Sequence, residues 1–235
     1  MTVRIRRVTT TRAGGVSAPP YDTFNLGDHV GDDPAAVAAN RARLASSIGL
    51  APDHVVWMNQ VHGTRVEVVD APRGTPFGDT DALVTATPGL ALAVVTADCV
   101  PVLMADARAG VLGAAHAGRV GAADGVVLRT LEAMLALGAH AVDISVLLGP
   151  AVSGPNYEVP QQMADDVEAR LPGSRTTTER GTPALDLRTG IARQLIDAGV
   201  SAIDIDPRCT VADEKLFSHR RGAPTGRLAS LVWMQ

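Results

Sequence analysis

Three residues whose side chains bind metals or act as nucleophiles stand where apolar runs of this chain end. Cys99 follows the apolar residues 90–97, His116 closes the next apolar runs, and His62 lies upstream in the turn-forming sequence NQVHG. Each run has the length of a buried strand, so the three side chains are expected at strand ends. Because imidazole and thiolate suit zinc, His62, Cys99 and His116 are candidate ligands of a catalytic ion with one open position.

The same atoms also suit a cysteine–histidine hydrolase. There Cys99 is the thiolate nucleophile, His116 its base and Asp98 the group that orients the imidazole. Both chemistries need a lowered thiol pKa, so the sequence does not separate a nucleophilic thiolate from a metal-bound one. Asp98 is equally a candidate to hydrogen-bond a metal-binding imidazole or to move a proton. Cys209 has no histidine near it in sequence and is interpreted as a structural residue.

A set of arginines lies in glycine-containing loops rather than on predicted helix faces. A guanidinium binds phosphate or carboxylate through two parallel hydrogen bonds, so these arginines are candidates for an anion site. Backbone donors at the helix start after Gly118 favour the same kind of ligand. Asn59 is a candidate to bind the polar edge of a ligand. The arginines are Arg12, Arg119, Arg220, Arg221 and Arg227.

Composition limits the class of protein. The chain has 235 residues, 46% of them apolar, which is enough for a sizeable core in one domain spanning residues 1–235. A net charge of −4 gives no electrostatic footprint for nucleic acid. Two cysteines make no disulfide framework, which favours a reducing compartment. Without a signal peptide or membrane span in the sequence, we expect a soluble, cytoplasmic protein of unknown oligomeric state.

Hydrophobic periodicity predicts strands alternating with amphipathic helices. A capping aspartate followed by proline opens the first helix. The polar residues 175–183 are expected to be mobile. The predicted strands include residues 3–8, 54–58, 64–69, 142–148 and 228–234, and the predicted helices are residues 34–48, 121–137, 161–171 and 185–198.

Several motifs together resemble the YfiH/YlmD family, which is described as multicopper polyphenol oxidoreductase or laccase-like and includes the human laccase domain-containing protein 1. The resemblance spans nearly the whole chain, and the motifs keep the family's order. They are TRAGGVSAPPYDTFNLG at the N-terminal end, NQVHG at 59–63, TADCVPVLMAD at 96–106, HAG at 116–118, LGPAVSGPNYEV at 148–159 and FSHRRGAPTGR at 217–227.

The resemblance implies an α/β (α+β) fold, a single-domain mixed β-sheet sandwich flanked by helices. It also implies a divalent metal, commonly zinc, held by the residues that match His62, Cys99 and His116. Family members are described as phosphorolysing adenosine, inosine, guanosine and methylthioadenosine and as deaminating adenosine. The resemblance thus implies a purine nucleoside and phosphate as substrates, with no nucleic acid or membrane partner.

The chain departs from the family at one point. The family usually reads HAGWRG, whereas this chain reads HAGRVG, so the tryptophan is absent and Arg119 stands one position early. This departure bears on phosphorolysis, because that arginine is a candidate to hold phosphate.

Two other functions remain open at this point. One is a copper-dependent polyphenol oxidoreductase, with Cu²⁺ in place of Zn²⁺. A laccase cycle needs several coppers held mostly by histidine, and the six histidines of this chain show no paired spacing. The other is a peptidoglycan-editing or partner protein whose metal is structural.

Overall fold

The computed structural model describes residues 4–235, so Val3, the first residue of the predicted first strand, lies outside the described residues. The α-helices in that range are α1 (Pro34–Ser47), α2 (Arg119–Ala123), α3 (Val126–Ala136), α4 (Gln161–Arg170) and α5 (Leu187–Asp197). The strands are β1 (Ile5–Thr9), β2 (Val55–Val56), β3 (Val66–Val68), β4 (Ala82–Thr85), β5 (Ala91–Thr96), β6 (Val100–Asp106), β7 (Val111–Ala117), β8 (Ile144–Leu148), β9 (Arg175–Thr177), β10 (Pro183–Leu185), β11 (Ala202–Ile205) and β12 (Leu228–Met234).

Two mixed sheets pack face to face. One has the strand order β1-β12-β5-β2 and the other β11-β8-β6-β7-β4-β3. The six-stranded sheet carries α3, α4 and α5 on its outer face, and the four-stranded sheet carries α1. The expected fold class, a mixed β-sandwich flanked by helices, is therefore confirmed. The single-domain organisation stays a prediction.

The central strands are apolar throughout because both of their faces are buried. In β5, Leu92 and Val94 pack between the two sheets, whereas Ala91, Ala93 and Val95 pack under α1. A strand covered on both sides loses the alternation of apolar and polar residues that marks a half-exposed strand. The continuous runs in the sequence follow from this layering.

The chain changes sheets between β5 and β6. β5 belongs to the four-stranded sheet and β6 to the six-stranded sheet, and only Ala97, Asp98 and Cys99 join them. Asp98 has a φ of 97°, in the left-handed region that side chains other than glycine rarely adopt. This sharp connection places Cys99 at the beginning of β6.

Two sequence-based expectations about the elements need correction. The single helix predicted over 121–137 is two helices, because Gly125 has a φ of 88° and interrupts it. The segment expected to be mobile instead begins with β9 and ends at the first residue of β10, and the two strands pair antiparallel, which the polar side chains did not indicate. Among the described residues, the model contains no helix both long and apolar enough to cross a membrane.

Candidate metal and anion site

Strand register brings two of the three candidate ligands together. β6 and β7 pair antiparallel with Val100 opposite Ala117 and Pro101 opposite His116, so Cys99 and His116 end up side by side. His62 reaches them from the turn between β2 and β3. One ligand atom from each of the three side chains lies within 4.8 Å of the others. We call His62, Cys99 and His116 the metal triad.

Asp81, immediately before β4, holds the triad in place. One of its carboxylate oxygens lies 2.8 Å from Nδ1 of His116. The same carboxylate accepts backbone N–H bonds from Val61 (3.2 Å), His62 (3.0 Å) and Gly63 (2.7 Å). A carboxylate on Nδ1 orients a histidine and leaves Nε2 free to bind a metal. Asp81 thus fixes both the turn that carries His62 and the ring of His116.

Close backbone approach also shapes the triad. His62 has a φ of 61°, and the three N–H bonds to Asp81 stabilise this turn. A Cβ atom at Gly118 would lie 2.5 Å from the ring of His62 and 3.2 Å from Sγ of Cys99. Only glycine fits there, because contacts this short are repulsive for any larger residue.

The charges of the triad are coupled. Burial alone would raise the pKa of Cys99, but the adjacent rings of His116 and His62 outweigh it and lower that pKa to about 6. Burial alone would lower the pKa of His116, whereas the Cys99 thiolate and the Asp81 carboxylate raise it to about 9. Without a metal, the pair is therefore a thiolate beside an imidazolium near neutral pH.

The triad opens into a cavity of about 520 Å³. Apolar side chains such as Val95, Val152 and Leu187 form part of its wall. Tyr157 also lines it, with the histidines His29 and His219. A cavity of this size and mixed lining is typical of a small-molecule site.

Three arginines line the same cavity and are here called the arginine cluster: Arg119, Arg220 and Arg227. Within residues 4–235 none of their guanidinium groups lies within ion-pair distance of a carboxylate. Arg220 donates a 3.0 Å hydrogen bond to the carbonyl of Glu158, and its guanidinium carbon lies 4.8 Å from the ring centre of Tyr157. Positive groups without a carboxylate partner favour an anionic ligand.

Other predicted site residues lie elsewhere or serve another purpose. Arg12 pairs with Asp22 at 3.1 Å and stacks over Phe217, and neither Arg12 nor Asn59 lines the cavity. Their expected contact with substrate therefore receives no support. Arg221 donates to backbone carbonyls, including that of Thr210 at 2.7 Å, and so holds its own loop.

The prediction that Asp98 orients an imidazole is corrected. Its carboxylate binds Thr210, Ser218 and the backbone N–H of Arg220, while Asp81 is the partner of His116. Sequence reasoning missed Asp81 as a site residue. The available signal was the position of this acid directly before a buried apolar strand, as Cys99 stands directly before β6.

The donor set fits one zinc ion. Two imidazoles and one thiolate form a three-ligand zinc set, and exposure of His62 toward the cavity leaves room for a fourth ligand. A multicopper centre requires more imidazoles. The other cavity histidines, His29 and His219, belong to no metal-ligand group among the described residues.

Two packed sheets with a three-residue site at their strand ends place the chain in a known protein family. The family model for multi-copper polyphenol oxidoreductase laccase matches residues 6–235, and the chain belongs to that family. The resemblance to YfiH and YlmD is thereby confirmed.

The similar proteins cover almost the whole chain. A purine nucleoside phosphorylase of Mycobacterium tuberculosis is 77% identical over 100% of this chain and 94% of its own length. The crystal structure of the hypothetical protein YfiH from Bacillus licheniformis has a TM-score of 0.92 at 30% identity, covering 98% of this chain and 93% of that one. The structure of YlmD from Geobacillus stearothermophilus has a TM-score of 0.89 at 35% identity, covering 98% and 92%.

Proposed function

We propose that this chain is a zinc-dependent purine nucleoside phosphorylase. The observation that carries the proposal is that the metal triad and the arginine cluster line one cavity. Phosphorolysis needs both an electrophilic group and an anion site within reach of one nucleoside. The name of the mycobacterial relative supports the same reaction.

The residues divide the task as follows. His62, Cys99 and His116 would hold the ion, and Asp81 keeps His116 in the tautomer that presents Nε2. When bound, zinc supplies Lewis acidity at one open position, the chemistry with which metalloenzymes polarise a substrate or activate water.

The arginine cluster binds the attacking phosphate. A phosphate oxygen forms a bond to C1′ of the ribose as the C1′–N9 bond breaks, and the electron pair of that bond leaves with the purine. Arg119 and Arg220 neutralise the phosphate, and the apolar wall with Val95 and Val152 excludes water that would otherwise compete as the nucleophile. In this arrangement Arg119 takes over the anion-binding task despite the HAGRVG sequence.

We propose adenosine, inosine, guanosine and methylthioadenosine as the substrates. Adenosine deamination is a second proposed activity of the same site. Two alternatives compete with this proposal. The family description favours a copper polyphenol oxidoreductase, and a closed four-ligand metal would favour a peptidoglycan-editing or partner protein.

The test uses the purified chain with inosine, with and without phosphate. We expect hypoxanthine and ribose 1-phosphate to form in equal amounts, and only when phosphate is present. Base release that does not need phosphate would contradict phosphorolysis. Metal content after growth in zinc- or copper-limited medium, together with an assay of phenol oxidation, decides between zinc and copper chemistry.

A further inference from the structure

The carboxylate of Asp98 joins the connection that carries Cys99 to the loop that carries Arg220 and Arg227. Its Oδ1 accepts hydrogen bonds from the hydroxyls of Thr210 and Ser218, each at 2.6 Å. Its Oδ2 accepts the backbone N–H of Arg220 at 2.7 Å. These donors lie more than 110 positions away along the chain, and the next residue after Asp98 is the ligand Cys99.

From these contacts we infer that Asp98 is a positioning residue that sets the distance between Arg220 and the metal triad. The inference rests on the proposed function, because it names the residue that aligns phosphate with the nucleoside beside the metal triad. All three bonds run to one small carboxylate, so loss of that carboxylate would release the backbone of Arg220 from the connection that carries Cys99. Bonds to a charged acceptor are stronger than neutral ones, which suits an anchor between distant segments.

The backbone supports the same role. Asp98 has a φ of 97°, and Asn or Gly tolerates this conformation better than most residues. Its own carbonyl accepts the N–H of Val152 at 3.0 Å, which fixes the connection from a third side. Both oxygens of Asp98 are engaged by the protein, which suits an anchor.

Two variants that both suit the backbone separate anchoring from proton transfer. In Asp98→Asn the amide oxygen can accept the N–H of Arg220 and the amide NH2 can donate to the hydroxyls of Thr210 and Ser218, but the amide cannot act as an acid or base. Asp98→Gly removes all three bonds. With the zinc-loaded full chain, we expect Asp98→Gly to raise the KM for phosphate about tenfold or more with a smaller change in kcat. Asp98→Asn should restore the KM to within about threefold of the wild type.

Hydrogen exchange followed by mass spectrometry gives a readout that does not depend on activity. In Asp98→Gly the amides of residues 218–221 should exchange at least about tenfold faster, and in Asp98→Asn near the wild-type rate. Asp70→Asn, an exposed aspartate outside the cavity, is the matched control and should change neither quantity.

The outcomes are distinct. If Asp98→Asn loses kcat as completely as Asp98→Gly while the loop exchanges normally, Asp98 transfers protons and the inference is overturned. Normal loop exchange in Asp98→Gly overturns it as well. If the wild type releases no purine at all, the proposed function fails, whereas the exchange rates still decide whether Asp98 anchors the loop.

Discussion

The metal triad and the arginine cluster line one cavity but are built from different kinds of structure. Cys99 and His116 sit at the ends of paired, fully buried strands, and Asp81 connects them to the turn of His62. Arg220 and Arg227 lie in the loop before β12, and their backbone is held by hydrogen bonds to Asp98 and Asn25. The triad therefore depends on strand register, whereas Arg220 and Arg227 depend on a few contacts between distant loops.

This contrast suggests how the two halves respond to change. Moving a ligand of the triad requires disrupting buried strands, which costs much of the folding free energy. Moving an arginine requires breaking only a few hydrogen bonds at the surface of the core. The four predictions below test this difference.

Removal of the thiolate should have the largest effect. Cys99→Ala deletes one of the three proposed zinc ligands, so the zinc content should fall from one ion per chain to near zero. Loss of several kcal/mol of electrophilic stabilisation corresponds to a decrease in kcat/KM on the order of 10³-fold. Metal analysis and the inosine assay measure both. Cys209→Ala is the control, and activity retained in Cys99→Ala would refute the assignment of the triad.

Substitution of Asp81, which holds the triad in place, should weaken metal binding without abolishing it. Asp81→Asn turns an acceptor into an amide that suits neither His116 nor the backbone N–H groups of residues 61–63. We expect zinc affinity, measured by competition with a chelator, to fall about 10- to 100-fold. Asp106→Asn is a matched control, since Asp106 is also a buried carboxylate that accepts backbone N–H bonds.

The control also separates folding from metal binding. Backbone hydrogen bonds outweigh burial and hold the pKa of Asp106 below its usual value. Its charged form thus stabilises the fold above the unfolded-state pKa, and this stabilisation is lost as the pH falls. Asp106→Asn should therefore lower the free energy of unfolding at neutral pH and leave zinc affinity unchanged. Equal losses of zinc affinity in the two variants would mean that Asp81 acts only through stability.

Changes in the arginine cluster should affect phosphate alone. Arg220→Ala removes one charged donor while Arg119 and Arg227 remain, so the KM for phosphate should rise about tenfold with an unchanged zinc content. Arg12→Ala is the matched variant, because Arg12 is paired with Asp22 and lies outside the cavity lining. If Arg12→Ala raises that KM as much as Arg220→Ala does, the anion site has been misplaced.

The smallest effect concerns pH. In the zinc-free protein the pKa of Cys99 is about 6, so its thiolate is already formed at pH 7. Between pH 7 and pH 8 the alkylation rate of Cys99 should rise less than about twofold, whereas an unperturbed thiol with a pKa near 8.5 would gain about eightfold. Mass spectrometry of iodoacetamide-treated protein measures the rate at this residue, and an eightfold rise would show that the histidines do not stabilise the thiolate.

The sequence was sufficient to predict that His62, Cys99 and His116 lie together, but it did not reveal that Asp81 holds them in place. Apolar runs ending at Cys99 and His116 indicated the strand ends, and motif order indicated the family and hence the sandwich. The contact between Asp81 and His116 depends on the pairing of β4 with β7, which no local pattern specifies. Because Asp98 is next to Cys99 in sequence, it was the more obvious candidate to orient the imidazole. In the structure Asp98 has a left-handed backbone conformation, and its carboxylate binds Ser218 in another segment.

The arginines show the same limit. Arg119 begins α2, whereas the other four occupy glycine-containing loops, and nothing in those loops distinguishes Arg12 from Arg220. The distinction arises because Asp22 folds back onto Arg12, while Arg220 faces a tyrosine and a carbonyl. Likewise the guanidinium carbon of Arg41 in α1 lies over Trp57, 4.2 Å from the ring centre. Such pairings are set by tertiary contacts rather than by local propensity.

In the four-stranded sheet, β12 lies between β1 and β5. The first strand of the chain, β1, therefore cannot pair in this sheet until the last strand, β12, has been synthesised. On the ribosome, a growing chain that has emerged as far as β7 already carries the three metal ligands, whereas Arg220 and Arg227 follow only about 100 residues later. A nascent chain should therefore complete the proposed ligand set of the ion well before it completes the arginine cluster.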